Sequence, residues 1–376
     1  MAGSMRSVLA RFLPGLRQHQ SLSPRQAQVC AHLQDCRTGA LGGVQLRCDH
    51  CTHAPVIALS CRDRHCPRCQ RQASRTWAER QLQAVLPVTY YHLVFTLPHS
   101  LDPWVELHPE VIYRLLFRSV WDTLKGFGED PKRLGGQLGM SAVLHTWGEA
   151  LVRHVHLHCL IPGGAWGPEQ AWHPATSTYL FPVRALARGF RGRMVAALRQ
   201  AHNDGELHRI TRPGEVDRVL AELMEKDWVV YAKPSLGHTE TVVHYLARYS
   251  HRIAISDERI VDIQGERAAL RCKSHREGRA AQTVWLDGEE LVRRFLLHVL
   301  PKGLMRIRHY GFLANRCRAE RIEQIRGYLQ QPGTDGPASP EVVDSGNTAL
   351  GYPCPECRKG HLRFVAWVAP TRLEGG

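Results

Sequence analysis

The stretch Arg153-His154-Val155-His156-Leu157-His158-Cys159-Leu160-Ile161 sets the reading of this chain. Three histidines alternate with apolar residues. On an extended strand, side chains at i, i+2 and i+4 share a face. His154, His156 and His158 therefore point one way, and Val155, Leu157 and Cys159 point the other, into a core. A row of imidazoles on a rigid strand is a common way to hold a divalent cation. The plain alternative is a half-buried strand that happens to carry histidines. One histidine would fit that alternative; three at period 2 do not.

Working outward, Leu138 to Thr146 reads as a second strand, Trp147-Gly148-Glu149 as a turn, and Pro162-Gly163-Gly164 as the stop after the histidine strand. Adjacent strands with a short connection form an antiparallel hairpin. Glu149 at its tip is placed to reach the same cation, or else to sit as a surface carboxylate. Thr89 to Leu97, closed by Pro98, reads as a third strand. Apolar periodicity predicts helices over 103–127, 183–203, 215–226, 289–300 and 314–328, and strands over 228–233, 259–263 and 268–273. Residues 302–308 are basic. The whole is an α+β chain with antiparallel strands.

A second constellation lies at Thr239 to Arg252, whose composition suits a helix. Tyr245 and Tyr249 are then i and i+4, one turn apart on one face, with Arg248 and Arg252 as a second such pair. Phenols flanked by guanidiniums suit covalent phosphoryl chemistry: a tyrosine oxygen attacks phosphorus while arginines hold the nonbridging oxygens. A tyrosine pair on a helix is more often packing, and the nearby histidine strand is what gives it weight.

The chain has 12 cysteines, mostly in C-x-x-C pairs. That pattern argues for zinc in a reducing compartment rather than a disulfide framework. The spacing groups Cys48 and Cys51 with Cys66 and Cys69 as a zinc ribbon, in which bound metal would supply ~10 kcal/mol toward folding so small a domain. Cys36, Cys61 and His65 remain, either as part of a second zinc site or as buried neighbours of the first. Cys354 and Cys357, with His361 four residues on, form half a knuckle without an obvious fourth ligand. Arg62, Arg64, Arg68, Arg71 and Arg75 give the cysteine region a basic surface suited to phosphates.

The totals agree. With 49 Lys and Arg against 35 Asp and Glu, the net charge of +14 favours a polyanionic partner, most simply nucleic acid. A length of 376 residues suggests two or three domains. No run of about 18 apolar residues predicts a membrane span, and residues 1–22 lack the apolar stretch of a secretory signal. Residues 331–350, rich in Pro, Gly and Ser, read as a linker.

Taken together, the motifs resemble those of one family, the two-tyrosine HUH transposases of rolling-circle insertion sequences (the insertion-sequence-91 group). The resemblance rests on Ser60-Cys61-Arg62-Asp63-Arg64-His65-Cys66-Pro67-Arg68-Cys69-Gln70, His92-Leu93-Val94-Phe95-Thr96-Leu97-Pro98 and Leu144-His145-Thr146-Trp147-Gly148. It continues through His156-Leu157-His158, Tyr245-Leu246-Ala247-Arg248-Tyr249, His298-Val299-Leu300-Pro301-Lys302-Gly303 and Arg306-Ile307-Arg308. It implies an HUH endonuclease-like antiparallel sheet with packed helices, preceded by a small zinc-ribbon-like domain. His156 and His158, with His154 or Glu149, would hold a catalytic Mg2+ or Mn2+, and zinc would be structural. Tyr245 and Tyr249 would be the nucleophiles, acting on single-stranded DNA at transposon ends and joining it to target DNA. The expected divisions are an arm (1–29), a zinc-binding DNA-binding domain (30–86), a catalytic domain (87–330), the linker (331–350) and a terminal knuckle (351–376). The expected setting is the bacterial cytoplasm, at the nucleoid. One alternative is a plasmid replication initiator or relaxase, against which the zinc-ribbon region and the order of the motifs weigh. The other is a noncatalytic zinc-dependent DNA-binding protein or inactive transposase, which a metal-dependent nicking assay separates.

Overall fold

The structure, a computed structural model, describes residues 3–70, 85–236, 255–272, 281–330 and 352–370. Two helices open the chain. In α1 (Met5–His19), Met5, Val8, Leu9, Phe12, Leu13 and Leu16 are buried, one apolar stripe at helical spacing. In α2 (Pro24–Asp35), Ser23 and Gln26 form a reciprocal capping box with Pro24 at the first turn. Strands β1 (Gly43–Cys48) and β2 (Val56–Ala58) follow. The central run holds β3 (Tyr90–Thr96), α3 (Asp102–Leu107), α4 (Pro109–Glu129), β4 (Gly139–Trp147) and β5 (Arg153–Pro162). It continues with the short β6 (Gly164–Trp166) and β7 (Trp172–Pro174), then α5 (Val183–Asn203), α6 (Glu215–Glu225) and β8 (Val230–Leu236). The rest is β9 (Ile260–Gln264), β10 (Arg267–Cys272), β11 (Gln282–Asp287), α7 (Gly288–Leu296), β12 (Ile307–Gly311), α8 (Arg318–Leu329), β13 (Tyr352–Pro353) and β14 (His361–Val368).

The linker 331–350 and the tyrosine-bearing segment Thr239–Arg252 lie outside the described residues. The helix expected over 103–127 is two helices. His108, which precedes Pro109, has φ −135° and ψ 56°, because the proline ring disfavours helical backbone in the residue before it. Eight of the described strands were not expected: β1, β2, β6, β7, β11, β12, β13 and β14.

The chain divides into two compact units whose segments are not contiguous. One comprises Met1–Gln72, Ile255–Arg293 and Pro340–Gly376; the other comprises Ala73–Ala254 and Arg294–Ser339. In the first, β14 returns to pair antiparallel with β1, giving a sheet of order β13-β14-β1-β2 beside a three-stranded sheet β11-β10-β9. Ile255–Arg293 joins this unit because Asp257 Oδ1 accepts a hydrogen bond from the Met5 amide (2.9 Å) and Gly288 lies against the Phe12 ring. The sequential division expected from the linkers therefore differs from the spatial one.

The second unit carries the histidine strand. Its five-stranded sheet has the order β12-β4-β5-β3-β8, with every neighbouring pair antiparallel. The hairpin expected from β4 and β5 forms, with β5 at the centre. Val155, Leu157 and Cys159 are fully buried in a core with Leu93 and Phe95 of β3, Leu116, Phe117 and Val120 of α4, and Phe190 and Met194 of α5. Each large side chain so buried contributes about 1.5–3 kcal/mol relative to exposure. Period 2 then sends the intervening residues, including His156 and His158, to the opposite face of the sheet.

Candidate metal centres

The register of β4 on β5 sets His145 directly opposite His156. Paired residues on adjacent antiparallel strands bring their Cβ atoms within about 5 Å. His156 Nδ1 lies 2.8 Å from the carbonyl oxygen of His154. A carbonyl only accepts, so Nδ1 carries the proton and Nε2 keeps its lone pair. That Nε2 faces His158 Nε2 at 3.1 Å. His158 Nδ1 in turn lies 2.9 Å from His92 Nε2 on β3. In the tautomer that leaves His158 Nε2 bare, Nδ1–H donates to His92. His145 completes the group, its ring stacked on Trp147 (centroids 4.4 Å apart) and edge-on to His158 (4.4 Å).

One nitrogen from each of His145, His156 and His158 falls within a 4.8 Å set. The geometry fits a cation. Two nitrogens bound at ~2.1 Å and at right angles to one another stand ~3 Å apart, close to the separation of the two Nε2 atoms. Burial pushes the His156 pKa down to about 4, with its bond to the His154 carbonyl acting the other way. The ring is thus neutral at physiological pH, the form that binds metal. Each Nδ1 partner fixes the ring it holds, the usual outer support of a metal-binding histidine.

His154 and Glu149, expected to complete this set, are not among the clustered ligands, and His145 is. The register shifts between His145 and Trp147, so that Trp147 pairs with Arg153. The His154 ring lies between His156 (centroids 4.9 Å) and His99 (5.6 Å), and the residue's backbone carbonyl holds His156 Nδ1. Glu149 sits in the hairpin turn, where Gly148 N–H donates to Val152 O (2.9 Å) and Leu151 takes a left-handed φ of 57°. His298 braces this turn. Its Nε2–H donates to Leu151 O at 3.0 Å, leaving Nδ1 to accept from the Thr146 hydroxyl at 3.2 Å. His92 and His145 stand in stretches that carry the resemblance, but neither was assigned a role from the sequence. The hairpin reading contained the signal for His145, since a turn at 148–152 places it across from His156. Tyr245, Arg248, Tyr249 and Arg252 lie outside the described residues.

The cysteines group differently from the expected ribbon. Cys36, at the end of α2, meets Cys61, Cys66 and Cys69. Its sulfur is 3.6 Å from those of Cys66 and Cys69, and Cys61 is 3.7 Å from Cys69. Four thiolates at ~2.3 Å from one zinc stand ~3.8 Å apart along the edges of a tetrahedron, so this set fits zinc. Of the two readings left open for His65, the buried neighbour holds: it is not among the clustered ligands. Its Nδ1 lies 2.8 Å from Asp63 Oδ1, and Asp63 also holds His32 Nδ1 at 2.9 Å. Burial opposes ionisation of Asp63, yet its hydrogen bonds from His65 and His32 keep the carboxyl well below the usual range. The charged carboxylate thereby fixes the loop between Cys61 and Cys66. Cys48 and Cys51 are not with Cys66 and Cys69; they meet Cys354 and Cys357. The reason is the pairing of β14 with β1, which carries the terminal knuckle onto the first.

The profile of the family described as "Transposase zinc-binding domain" matches residues 8–97, and that of the family described as "Putative transposase" matches residues 139–321. "Putative transposase y4qJ" of Sinorhizobium fredii is 40% identical over 358 residues, covering 92% of this chain and 90% of the relative. The chain belongs to the insertion-sequence-91 group of transposases. "Transposase for insertion sequence element IS801" of Pseudomonas savastanoi pv. phaseolicola is 26% identical over 324 residues, 83% of this chain and 76% of that one. No solved structure matches. The transposase is thus a DNA-acting protein of a nuclease and strand-transfer class, and the zinc-binding match with the cysteine clusters supports structural zinc. Cys36 to Cys69 fall inside the zinc-binding match, His145, His156 and His158 inside the other, and Cys354 and Cys357 beyond both. Among the described residues no helix is long and apolar enough to cross a membrane.

Proposed function

We propose that this transposase nicks and rejoins single-stranded DNA at transposon ends, through phosphotyrosine intermediates in a rolling-circle mode. The observation that carries the reading is the convergence of His145, His156 and His158, with the His156 tautomer fixed so that its bare nitrogen faces the group. These three residues would hold the cation, and His92 would orient His158. An all-imidazole set suits a transition-metal ion better than Mg2+, which prefers oxygen ligands, so Mn2+ is the better candidate of the two. Bound there, a divalent cation neutralises charge on the scissile phosphate and on the displaced oxygen.

Tyr245 and Tyr249 are the proposed nucleophiles, on the strength of their spacing and the family resemblance. The phenol oxygen of one forms a bond to phosphorus. The bond from phosphorus to the 3′ oxygen breaks, the phenol proton is lost, and the 3′ oxygen gains one. The products are a 5′-phosphotyrosine and a free 3′-hydroxyl. Arg248 and Arg252 pair with the nonbridging oxygens, where charge builds in the transition state. The phosphotyrosine retains the energy of the diester, so a 3′-hydroxyl reverses the step and joins strands. The second tyrosine permits a second cleavage while the first end is held.

A nicking assay on labelled single-stranded transposon-end DNA, with Mn2+ and with Mg2+, tests this reading. His145→Ala or His156→Ala is expected to lose at least ~100-fold in rate, the scale of losing charge stabilisation at a reacting oxygen. His154→Ala is expected to stay within a few-fold of wild type. Equal nicking with and without a divalent cation would sink the proposal.

A further inference from the structure

Four cysteines outside the first cluster come from the two ends of the chain. Cys48 and Cys51 close β1, and Cys354 and Cys357 precede β14. Cys48 and Cys357 are 3.7 Å apart at sulfur, and Cys51 and Cys354 are 3.8 Å apart. A disulfide requires ~2.05 Å, whereas the edge of a tetrahedral zinc–thiolate site is ~3.8 Å. All four sulfurs lie within one 4.8 Å set. Backbone amides donate to two of them, His50 N–H to Cys48 Sγ (3.3 Å) and Gly360 N–H to Cys357 Sγ (3.4 Å). Such bonds hold the two sulfurs in place, the outer support of a metal ligand.

We propose that Cys48, Cys51, Cys354 and Cys357 form one zinc site, separate from the Cys36 cluster, that clasps the carboxy-terminal segment to the amino-terminal knuckle. The two knuckles are built to close on each other. A Cβ on Gly360 would come within 2.7 Å of Cys48 Sγ and 2.5 Å of His50 Cβ. Asp49 Oδ1 accepts from the His361 amide (2.7 Å), and its Oδ2 accepts from Arg363 Nε (3.1 Å). From Cys48↔Leu362 to Gly43↔Val368, β14 lies along the whole of β1.

Apolar burial does little to hold this segment. Of the residues of β14, Leu362 is buried, while Phe364, Val365 and Trp367 are 57%, 49% and 70% exposed. Cys51 and Cys354 are 303 residues apart in sequence, and closing so long a span carries an entropic cost. Metal binding at four thiolates offsets it. The inference does not depend on the nuclease reading.

Zinc content of the purified full-length protein, wild type and Cys→Ser variants, tests the clasp. Cys48→Ser and Cys354→Ser should each lose the same single equivalent, so that the double variant loses no more than either. Cys66→Ser should lose a different one, additive with Cys354→Ser. If Cys48→Ser and Cys66→Ser instead lose a shared equivalent while Cys354→Ser loses none, the ribbon pairing is right and the clasp is wrong. A second measurement leaves every cysteine intact. A protease site is inserted within residues 331–350 and cut. The carboxy-terminal fragment should co-elute with the remainder in zinc and dissociate after chelation. A fragment that separates in the presence of zinc, or that stays bound after all zinc is removed, overturns the proposal.

Discussion

At the scale of single residues, the ligands depend on neighbours that hold their protons in place. His92→Ala removes the acceptor behind His158 and should weaken metal binding about 10–100-fold, measured by Mn2+ titration; unchanged affinity would deny His92 that role. His298 supports a different prediction. Burial pushes its pKa down to about 4, with the bond to Leu151 O opposing, whereas an unfolded histidine titrates near ~6.5. The unfolded chain therefore binds more protons between these values, and His298 loses its stabilising contribution as pH falls from ~6.5 to ~4. The difference in Tm between wild type and His298→Gln should be larger at pH 7 than at pH 5. His156 and His158 were legible because alternation announces a strand face. His145 was not, because one histidine in an apolar strand carries no pattern of its own; only the register that opposes it to His156 gives it a role. His65 shows the converse case: metal-ligand spacing next to a buried acid that takes the ring instead.

Among the elements, β5 is both platform and core. Leu157→Ala should cost about 2–5 kcal/mol by chemical denaturation, since Leu157 is fully buried in the main core. The helices α5 and α6 and the β4–β5 hairpin were readable, for each has its own period or turn. The strands β12 and β14 were not. β12 is five residues and reads as a basic stretch; what makes it a strand is the edge of β4, which it pairs from Ile307↔Val143 to Gly311↔Gly139. Its end is exacting. Gly311 has φ 60°, and a Cβ there would lie 1.7 Å from Leu138 O. Gly311→Ala should therefore displace β12 and lower Tm by more than an exposed Gly→Ala such as Gly327→Ala, where no atom lies within 4 Å. β14 carries its apolar residues outward and becomes a strand only through β1.

Across the whole molecule, the order of segments in space departs from their order in sequence. Cysteine spacing suggested a local ribbon, but sequence spacing cannot weigh a partner some 300 residues away, and the thiols at the two ends were readable only as halves. The charge of +14 belongs to this scale as well. Binding to DNA should weaken steeply between ~50 and ~200 mM salt, as phosphate contacts release counterions; a flat dependence would remove the electrostatic part of the account. The central claim joins the histidine centre to the tyrosine pair, and one measurement tests it most directly. The purified transposase is incubated with labelled single-stranded transposon-end DNA and Mn2+, denatured in SDS, and examined for a covalent protein–DNA adduct. The account predicts an adduct with wild type that is lost with chelator, with His145→Ala, and with Tyr245→Phe combined with Tyr249→Phe. An adduct that survives loss of both tyrosines, or nicked DNA that never carries protein, would contradict it.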